Sequence, residues 1–282
     1  MLRVRNLLLF GLLVIALTSL LMPEDQAIGV SKPIKLFDGR DLSNFYTWLV
    51  DYKFKDPDLV FTVVDQMDGA PAIRISGQHY GGLITKKRCR NYRLIAEFRW
   101  GPVTWGDRKD KARDSGILLH CQGPEGNTSR DFSGPWMRSI EFQIIEGGTG
   151  DILLVNGYAP AGDLLNPRLT ATVGKDRDGE DVYDPEKRPV AFQGSVRINW
   201  YGRDPDWSDT LGFRGKHDVE SPNSQWTKLE AICEGEKITY IVNGKVVNAG
   251  MHSNLTGGKI LLQSEGAEIF FRRIDLEPLT NS

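Results

Sequence analysis

Short runs of alternating or β-branched apolar residues dominate the chain after residue 34. Apolar side chains at every second position give a strand one buried face, whereas few stretches carry a helical repeat of useful length. The strongest local signal is the turn Asn243-Gly244, flanked by apolar residues, which predicts a β-hairpin. This pattern predicts an antiparallel sandwich or barrel. The predicted strands cover residues 60–64, 72–76, 92–100, 116–121, 139–145, 196–201, 226–233, 237–242, 245–247, 259–263 and 267–276.

Two long polar segments interrupt the strand pattern, at residues 104–114 and 147–223. The second is rich in Gly, Pro and Asp, and only residues 196–201 within it resemble a strand. Loops of this length are usually functional or disordered, but aromatic residues such as Trp207 favour packed loops here. Because neither a linker nor an internal repeat is found, we expect one domain over residues 28–282, with a long insert at about 147–223.

The N-terminal residues have the pattern of an export signal. Arg3 and Arg5 precede an apolar run from Leu7 to Met22, and a polar stretch follows from Pro23. This order of charged, apolar and polar segments is typical of a cleaved signal peptide. We therefore expect residues 1–27 to direct export to the periplasm, the cell surface or the medium. A retained membrane anchor is the alternative, and no other membrane association is expected.

Charge and cysteine content restrict the function classes further. The 282 residues include 35 Lys and Arg against 37 Asp and Glu, which gives a net charge of −2. Nucleic-acid binding needs a clear basic excess, so no nucleic-acid partner is expected. The three cysteines allow at most one internal disulfide. Cys121 and Cys233 lie in apolar runs and are predicted to be buried thiols.

The predicted strand over residues 139–145 carries the most chemical information. Alternation places Ile140, Phe142 and Ile144 on one face, which we expect to meet the core. Glu141 and Gln143 then project together from the other face, about 7 Å apart along the strand. Such a polar face is often only solvated, but two polar side chains on a sheet can also bind a sugar.

Two further clusters could join this polar face. His120 shares a strand face with Gly116 and Leu118, and it lies beside Glu141 if that face is the same one. A hydrogen-bonded structural histidine is the alternative. Gln263 shares a face with Leu261 and Glu265 on a later strand. The remaining histidines, at 79, 217 and 252, are interpreted as structural or solvent-exposed.

Known catalytic motifs are missing from the sequence. It contains no nucleophile elbow, phosphate-binding loop, dinucleotide fingerprint or HExxH motif. No cofactor is predicted with certainty, although His120, Glu141 and a loop carboxylate could bind a divalent metal. Ordinary retaining glycosidases need two carboxylates about 5–5.5 Å apart. Glu141 and Glu146 would face opposite sides of a regular strand, so that pairing is disfavoured.

An ordered set of short stretches resembles the 3-keto-disaccharide hydrolase family, also described as a 3-keto-glucoside 1,2-lyase/hydratase domain. The resemblance covers roughly residues 34–279, nearly the whole chain after the predicted signal. Each stretch alone is weak evidence for the family, but the whole set in this order is specific to it. The stretches are residues 35–42 (KLFDGRDL), 91–99 (NYRLIAEFR), 114–120 (DSGILLH), 139–144 (SIEFQI), 242–245 (VNGK) and 258–274 (GKILLQSEGAEIFFRRI), with Trp226.

The resemblance implies an all-β fold, a concanavalin A-like jelly-roll sandwich of two antiparallel sheets with long loop insertions. It also implies a carbohydrate substrate and cleavage of 3-keto-glycosides by C2 proton abstraction, elimination and hydration. The residues implied in catalysis are His120, Glu141 and Gln143. His120 departs from the basic residue, commonly Arg, that often ends the corresponding family strand. The residues proposed to bind substrate are Arg138, Trp136, Glu146, Trp207 and Gln263, with Arg138 stabilising an enolate and the two tryptophans stacking on the sugar.

A non-catalytic function is the alternative from the same residues. An exported carbohydrate-binding module would also present Trp, Glu and Gln side chains on an open sheet face. Turnover of a 3-keto-glucoside discriminates the two hypotheses, because a module binds the sugar without cleaving it. The sequence does not predict the oligomeric state, the glycosidic linkage or the aglycone.

Overall fold

The computed structural model describes residues 27–279, and two large antiparallel sheets organise them. The first sheet has seven strands in the spatial order β17-β11-β10-β9-β21-β6-β3. Its strands are β3 (Phe45–Leu49), β6 (Gly81–Thr85), β9 (Asp114–Gln122), β10 (Arg138–Ile145), β11 (Ile152–Val155), β17 (Val196–Ile198) and β21 (Lys259–Ser264).

The second sheet has eight strands and lies across the core from the first. Its order is β20-β19-β18-β8-β22-β5-β4, and β2 pairs with β22. The Asn243-Gly244 turn joins two of these strands, so the predicted hairpin is confirmed. The strands are β2 (Ile34–Lys35), β4 (Phe61–Met67), β5 (Ala70–Ile75), β8 (Tyr92–Thr104), β18 (Thr227–Glu234), β19 (Lys237–Val242), β20 (Lys245–Gly250) and β22 (Ala267–Glu277).

Three smaller pairings complete the described strands. Two short strands pair in parallel, and the insert contains a two-stranded and a three-stranded antiparallel sheet. One 3-10 turn, Gly106–Arg108, lies in the polar segment after β8. The remaining strands are β1 (Ile28–Gly29), β7 (Cys89–Arg90), β12 (Gly157–Tyr158), β13 (Leu164–Leu165), β14 (Arg168–Lys175), β15 (Asp181–Tyr183) and β16 (Pro189–Gln193).

The core forms where the inner faces of the two large sheets meet. Ile140, Phe142 and Ile144 lie in it with no more than traces of exposure, as the alternation predicts. The Phe142 ring of the first sheet stacks on Tyr240 of the second, with centroids 4.0 Å apart. Stacked rings and interleaved aliphatic side chains bury large apolar areas and so bind the sheets together. The prediction of a concanavalin A-like jelly-roll sandwich of two antiparallel sheets is confirmed.

The insert is more ordered than the sequence pattern predicts. The expectation that only residues 196–201 of the segment 147–223 form a strand is wrong, because β11 to β16 also lie there. Strand β11 pairs with β10, and β17 pairs with β11, so the insert extends the first sheet by two strands. This extension brings insert residues beside the polar face of β10.

The other expectations for the chain ends and the thiols have different outcomes. Cys89, Cys121 and Cys233 are all buried free thiols, which confirms the prediction for the last two.

The predicted signal peptide falls on residues 1–26, which lie outside the described residues, and on Ala27. Among residues 27–279, no helix has the length and apolar character needed to cross a bilayer.

Candidate functional site

Glu141 and Gln143 project from the outer face of the first sheet, away from the second sheet. Glu141 lies opposite Leu118 of β9, and Gln143 lies opposite Gly116. Leu118 belongs to a separate apolar cluster that is distinct from the main core. Because side chains alternate, the polar pair and this cluster occupy the same outer face.

Gly116 lets two polar side chains converge above the sheet. A Cβ atom at this position would lie far inside van der Waals contact with Glu141 Oε1 and 2.5 Å from Gln263 Oε1. Both side chains therefore occupy the space that any larger residue would fill. The Gln263 amide also favours the ionised form of Glu141 through a hydrogen bond. The structure thus brings together three of the predicted site residues: Glu141, Gln143 and Gln263.

A second buried carboxylate lies next to this group. Gln143 Nε2 donates a hydrogen bond of 2.6 Å to Asp114 Oδ1, and Arg108 pairs with the other oxygen of Asp114. Burial raises the pKa of Asp114 to about 6, and Arg108 opposes the shift. The amide of Gln143 is therefore held in place by the carboxylate and is a positioning group for this end of the face.

Glu141 has the perturbed acidity expected of a proton-transfer group. It is 3% exposed. Burial raises its pKa to about 8, and repulsion by Asp114 adds to the shift, while Arg197 and Gln263 oppose it. Desolvation disfavours the charged carboxylate, and the nearby negative charge does the same. A substantial fraction of Glu141 is therefore protonated near neutral pH, where an ordinary glutamate is almost fully ionised.

A cleft of about 390 Å³ opens beside Glu141. Arg197 reaches it from β17, because Glu141, Leu153 and Arg197 lie in one row across three strands. Trp136 also lines it, and among the described residues its indole Nε1 has no hydrogen-bond partner. A carboxyl group, a cation and an aromatic ring thus meet in a space of ligand size. The other lining residues are Thr128, Leu154, Val155, Asn156, Ser195 and Val196.

His120 does not share this face, so the prediction that it lies beside Glu141 is wrong. Its backbone φ is 55°, and the pairing of β9 with β10 shifts register at this point. Such a bulge breaks the strict alternation of side chains. Its Nδ1 lies 2.9 Å from the Leu255 carbonyl oxygen, and its ring packs edge-on against Tyr92 of the second sheet. Burial lowers the pKa of His120 to about 4, so the ring is neutral.

Three other predicted residues lie apart from the cleft lining. Arg138 Nη1 donates to Gln122 Oε1 at 3.2 Å, at the start of β10. Trp207 donates from Nε1 to the Glu146 carbonyl at 2.8 Å, and Arg203 stacks 4.6 Å from its ring. None of Arg138, Glu146 and Trp207 is among the described residues that line the cleft.

Comparison with known proteins identifies the family. A family described as the 3-keto-alpha-glucoside-1,2-lyase-like domain matches residues 32–277. The chain belongs to this family. The match covers almost the whole described chain and confirms the resemblance found in the sequence. Membership of the 3-keto-glucoside lyase-like family supports a carbohydrate-related function.

Several solved structures are similar to this member of the lyase-like family. A presumed glycosyl hydrolase from Parabacteroides distasonis has 14% identity and a TM-score of 0.47, covering 88% of this chain and 94% of its own. The carbohydrate-binding module CBM66 from Bacillus subtilis has 8% identity and a TM-score of 0.41, covering 82% and 94%. A Bacillus licheniformis β-glucanase has 10% identity and a TM-score of 0.35, covering 84% and 99%.

Sequence reasoning missed two residues of the site, for different reasons. Asp114 lies two residues before Gly116 on the same strand, so alternation of side chains could have placed it on the same face. Arg197 carries no such signal, because its place depends on the long-range pairing of β11 and β17. Within residues 27–279, no three His, Cys, Asp or Glu side chains are arranged to hold a metal ion.

Glu146 holds the insert to the sheet in this member of the family. Its carboxylate accepts hydrogen bonds from Arg113 Nη1 at 2.9 Å and from the Gly212 amide at 2.8 Å. We expect Glu146→Ala to lower the free energy of unfolding by about 2 kcal/mol, because buried donors lose their acceptor. Urea unfolding measures this, with exposed Glu186→Ala as the control. Unchanged stability with a raised KM would instead place Glu146 at the substrate.

Proposed function

We propose that the protein is a glycoside-cleaving enzyme that acts on 3-keto sugars. The observation that carries the proposal is Glu141, a buried carboxyl group with a pKa of about 8 at the floor of a ligand-sized cleft. Such a group has little use in a surface that only binds neutral sugars, because its burial costs stability. In proton-transfer chemistry near neutral pH, the same property is an advantage.

The proposed reaction begins at C2 of the sugar. A ketone at C3 acidifies the C2 proton, and ionised Glu141 removes it. The electrons of the C2–H bond form a C2=C3 enolate, with the negative charge on the C3 oxygen. As the ketone re-forms, these electrons make the C1=C2 double bond and the bond from C1 to the glycosidic oxygen breaks. The departing aglycone takes a proton from the carboxyl group that has just formed. Water then adds across the double bond, its hydroxyl to C1 and its proton to C2, which completes net hydrolysis.

The other cleft residues supply charge and position. Arg197 Nη1 binds Asp151 at 2.8 Å, and its guanidinium lines the cleft beside Glu141. It is therefore the cation that we assign to the enolate oxygen, in place of Arg138. Trp136 lines the cleft and offers an aromatic face to the sugar ring. Gln263 positions the Glu141 carboxyl. Gln143 and Asp114 are hydrogen-bonded to each other and lie beside it on the same face of the sheet.

Incubation with 3-keto-trehalose tests this function. We expect release of glucose and 3-keto-glucose, with a transient ultraviolet absorbance from the conjugated enone intermediate. Unoxidised trehalose is the matched control and should remain intact, because its C2 proton is not acidified. Binding of the keto sugar without any release would overturn the proposal and favour the carbohydrate-binding module.

A further inference from the structure

A second cavity, of about 600 Å³, lies between the insert and the second large sheet and is separate from the cleft beside Glu141. It is bounded by β14, β15, the segment after β17 and the start of β20. Its volume falls in the range typical of small-molecule sites. The part of its lining used below consists of Lys187, Lys245, Tyr201, Arg203, Asp176 and Asp184.

Basic side chains outweigh acidic ones in this cavity, which we call the insert cavity. Lys187 and Lys245 are exposed at its edge, and neither forms an ion pair within the described residues. The carboxylate of Asp176 accepts the backbone amides of Asp178 and Glu180, at 2.9 Å each. Asp184 likewise accepts the amide of Glu186 at 3.0 Å. The two carboxylates keep their charge but are hydrogen-bonded to turn amides, whereas the two lysines have no carboxylate partner among the described residues and can bind a ligand.

A buried arginine adds to this positive excess. Arg203 pairs with Asp151, which is fully buried and also binds Arg197 at 2.8 Å. One carboxylate thus serves two guanidinium groups, and one positive charge has no counterion in the trio. Burial lowers the pKa of Arg203 and repulsion by Arg197 adds to the shift, against the attraction of Asp151, Glu180 and Asp114. An anion in the neighbouring cavity would reduce this repulsion.

An aromatic side chain gives the insert cavity a platform as well as a charge. Tyr201 is 52% exposed and is one of four exposed aromatic side chains among the described residues. Trp200 lies next to it and is almost completely buried, which fixes the backbone that carries the tyrosine. A flat apolar face with a hydroxyl edge suits the C–H face of a pyranose ring. Cations beside such a ring suit a sugar that carries an acidic substituent.

We propose that the insert cavity binds an anionic sugar, with Lys187 and Lys245 contacting its carboxylate or sulfate group and Tyr201 stacking on its ring. Because both lysines are exposed, their attraction for the anion is screened by salt. Affinity for the acidic sugar therefore falls with ionic strength. Affinity for its neutral analogue does not.

Calorimetric titration of the full chain with methyl glucuronide and methyl glucoside tests the site. We expect the glucuronide to bind at least about tenfold more tightly at low salt. The double variant Lys187→Gln/Lys245→Gln should lose this difference, whereas Lys32→Gln, an exposed lysine elsewhere, should keep it. Tyr201→Ala should weaken both ligands. Equal affinity for the two sugars, or an unchanged difference in the lysine variant, would overturn the proposal.

Further titrations identify the anion and the place of binding. Glucose 6-sulfate that binds as tightly as the glucuronide indicates recognition of charge, and weaker sulfate binding indicates recognition of a planar carboxylate. Glu141→Gln should leave glucuronide binding intact, because Glu141 does not line the insert cavity. Loss of binding in that variant, with normal binding in the lysine variant, would place the acidic sugar in the cleft and disprove the site. The result does not depend on turnover of 3-keto sugars.

Discussion

Glu141→Gln is expected to lower kcat/KM for a 3-keto-glucoside by about 100- to 10,000-fold, the usual contribution of a positioned acid or base. The amide keeps the size of the side chain but cannot take up the C2 proton. Steady-state kinetics of the two proteins measure the change. Glu97→Gln is the matched control, since Glu97 pairs with Arg272 on the second sheet and lies outside the cleft. Full turnover by Glu141→Gln would remove Glu141 from the mechanism.

The pH profile gives this prediction a second readout. The pKa of Glu141 is about 8, and the proposed base must be ionised. The kcat/KM of the native protein should therefore rise about tenfold per pH unit below this value and level off above it. Residual activity of Glu141→Gln should lack this rise. A falling limb near pH 8 in the native profile would instead indicate that Glu141 enters the reaction as an acid.

Stability should change with pH in the opposite direction. Burial raises the pKa of both Glu141 and Glu220 from 4.5 to about 8. A carboxyl whose pKa is raised by folding contributes its full stability below 4.5 and loses it as pH rises toward 8 and above. The protein should thus unfold more easily where the reaction is faster. A low rate at acid pH therefore results from protonation of Glu141. It does not result from destabilisation by these two carboxyl groups, which stabilise the fold when they are protonated.

The polar face of β10 could be predicted because the strand is regular over residues 139–145. There the apolar residues at even positions determine the direction of Glu141 and Gln143. The same reasoning failed at His120, because a non-glycine residue with a φ of 55° gives no local sequence signal. Alternation therefore predicts a site only as far as the strand remains free of bulges.

The edge of the cleft could not be predicted, because it depends on pairings between distant segments. Arg197 comes to Glu141 through two short insert strands, β11 and β17, whose four and three residues are too few for a periodic pattern. Register over such lengths is decided by neighbouring strands rather than by local propensity. Arg138, three residues before Glu141 in the sequence, lies outside the cleft lining, whereas Arg197 lines it.

Gly116→Ala tests the convergence of the site without removing any polar group. The added methyl would collide with Glu141 Oε1 and with Gln263 Oε1, both at the ends of flexible side chains. These ends can move, so we expect the fold to persist while the carboxyl is displaced from the cleft. A misplacement of about 1 Å can cost about 100-fold in rate, and a loss of that size in kcat/KM is expected here.

The control for this substitution is Gly29→Ala, since a methyl group added at Gly29 would have no neighbouring atom within 4 Å. The double variant Gly116→Ala/Glu141→Asp should partly recover the lost activity, because the shorter aspartate leaves room for the added methyl. We expect the double variant to be more active than the product of the two single effects. Gly116→Ala with native kcat/KM and native stability would show that the carboxyl need not lie above this glycine, and the proposed geometry of proton transfer would then be wrong.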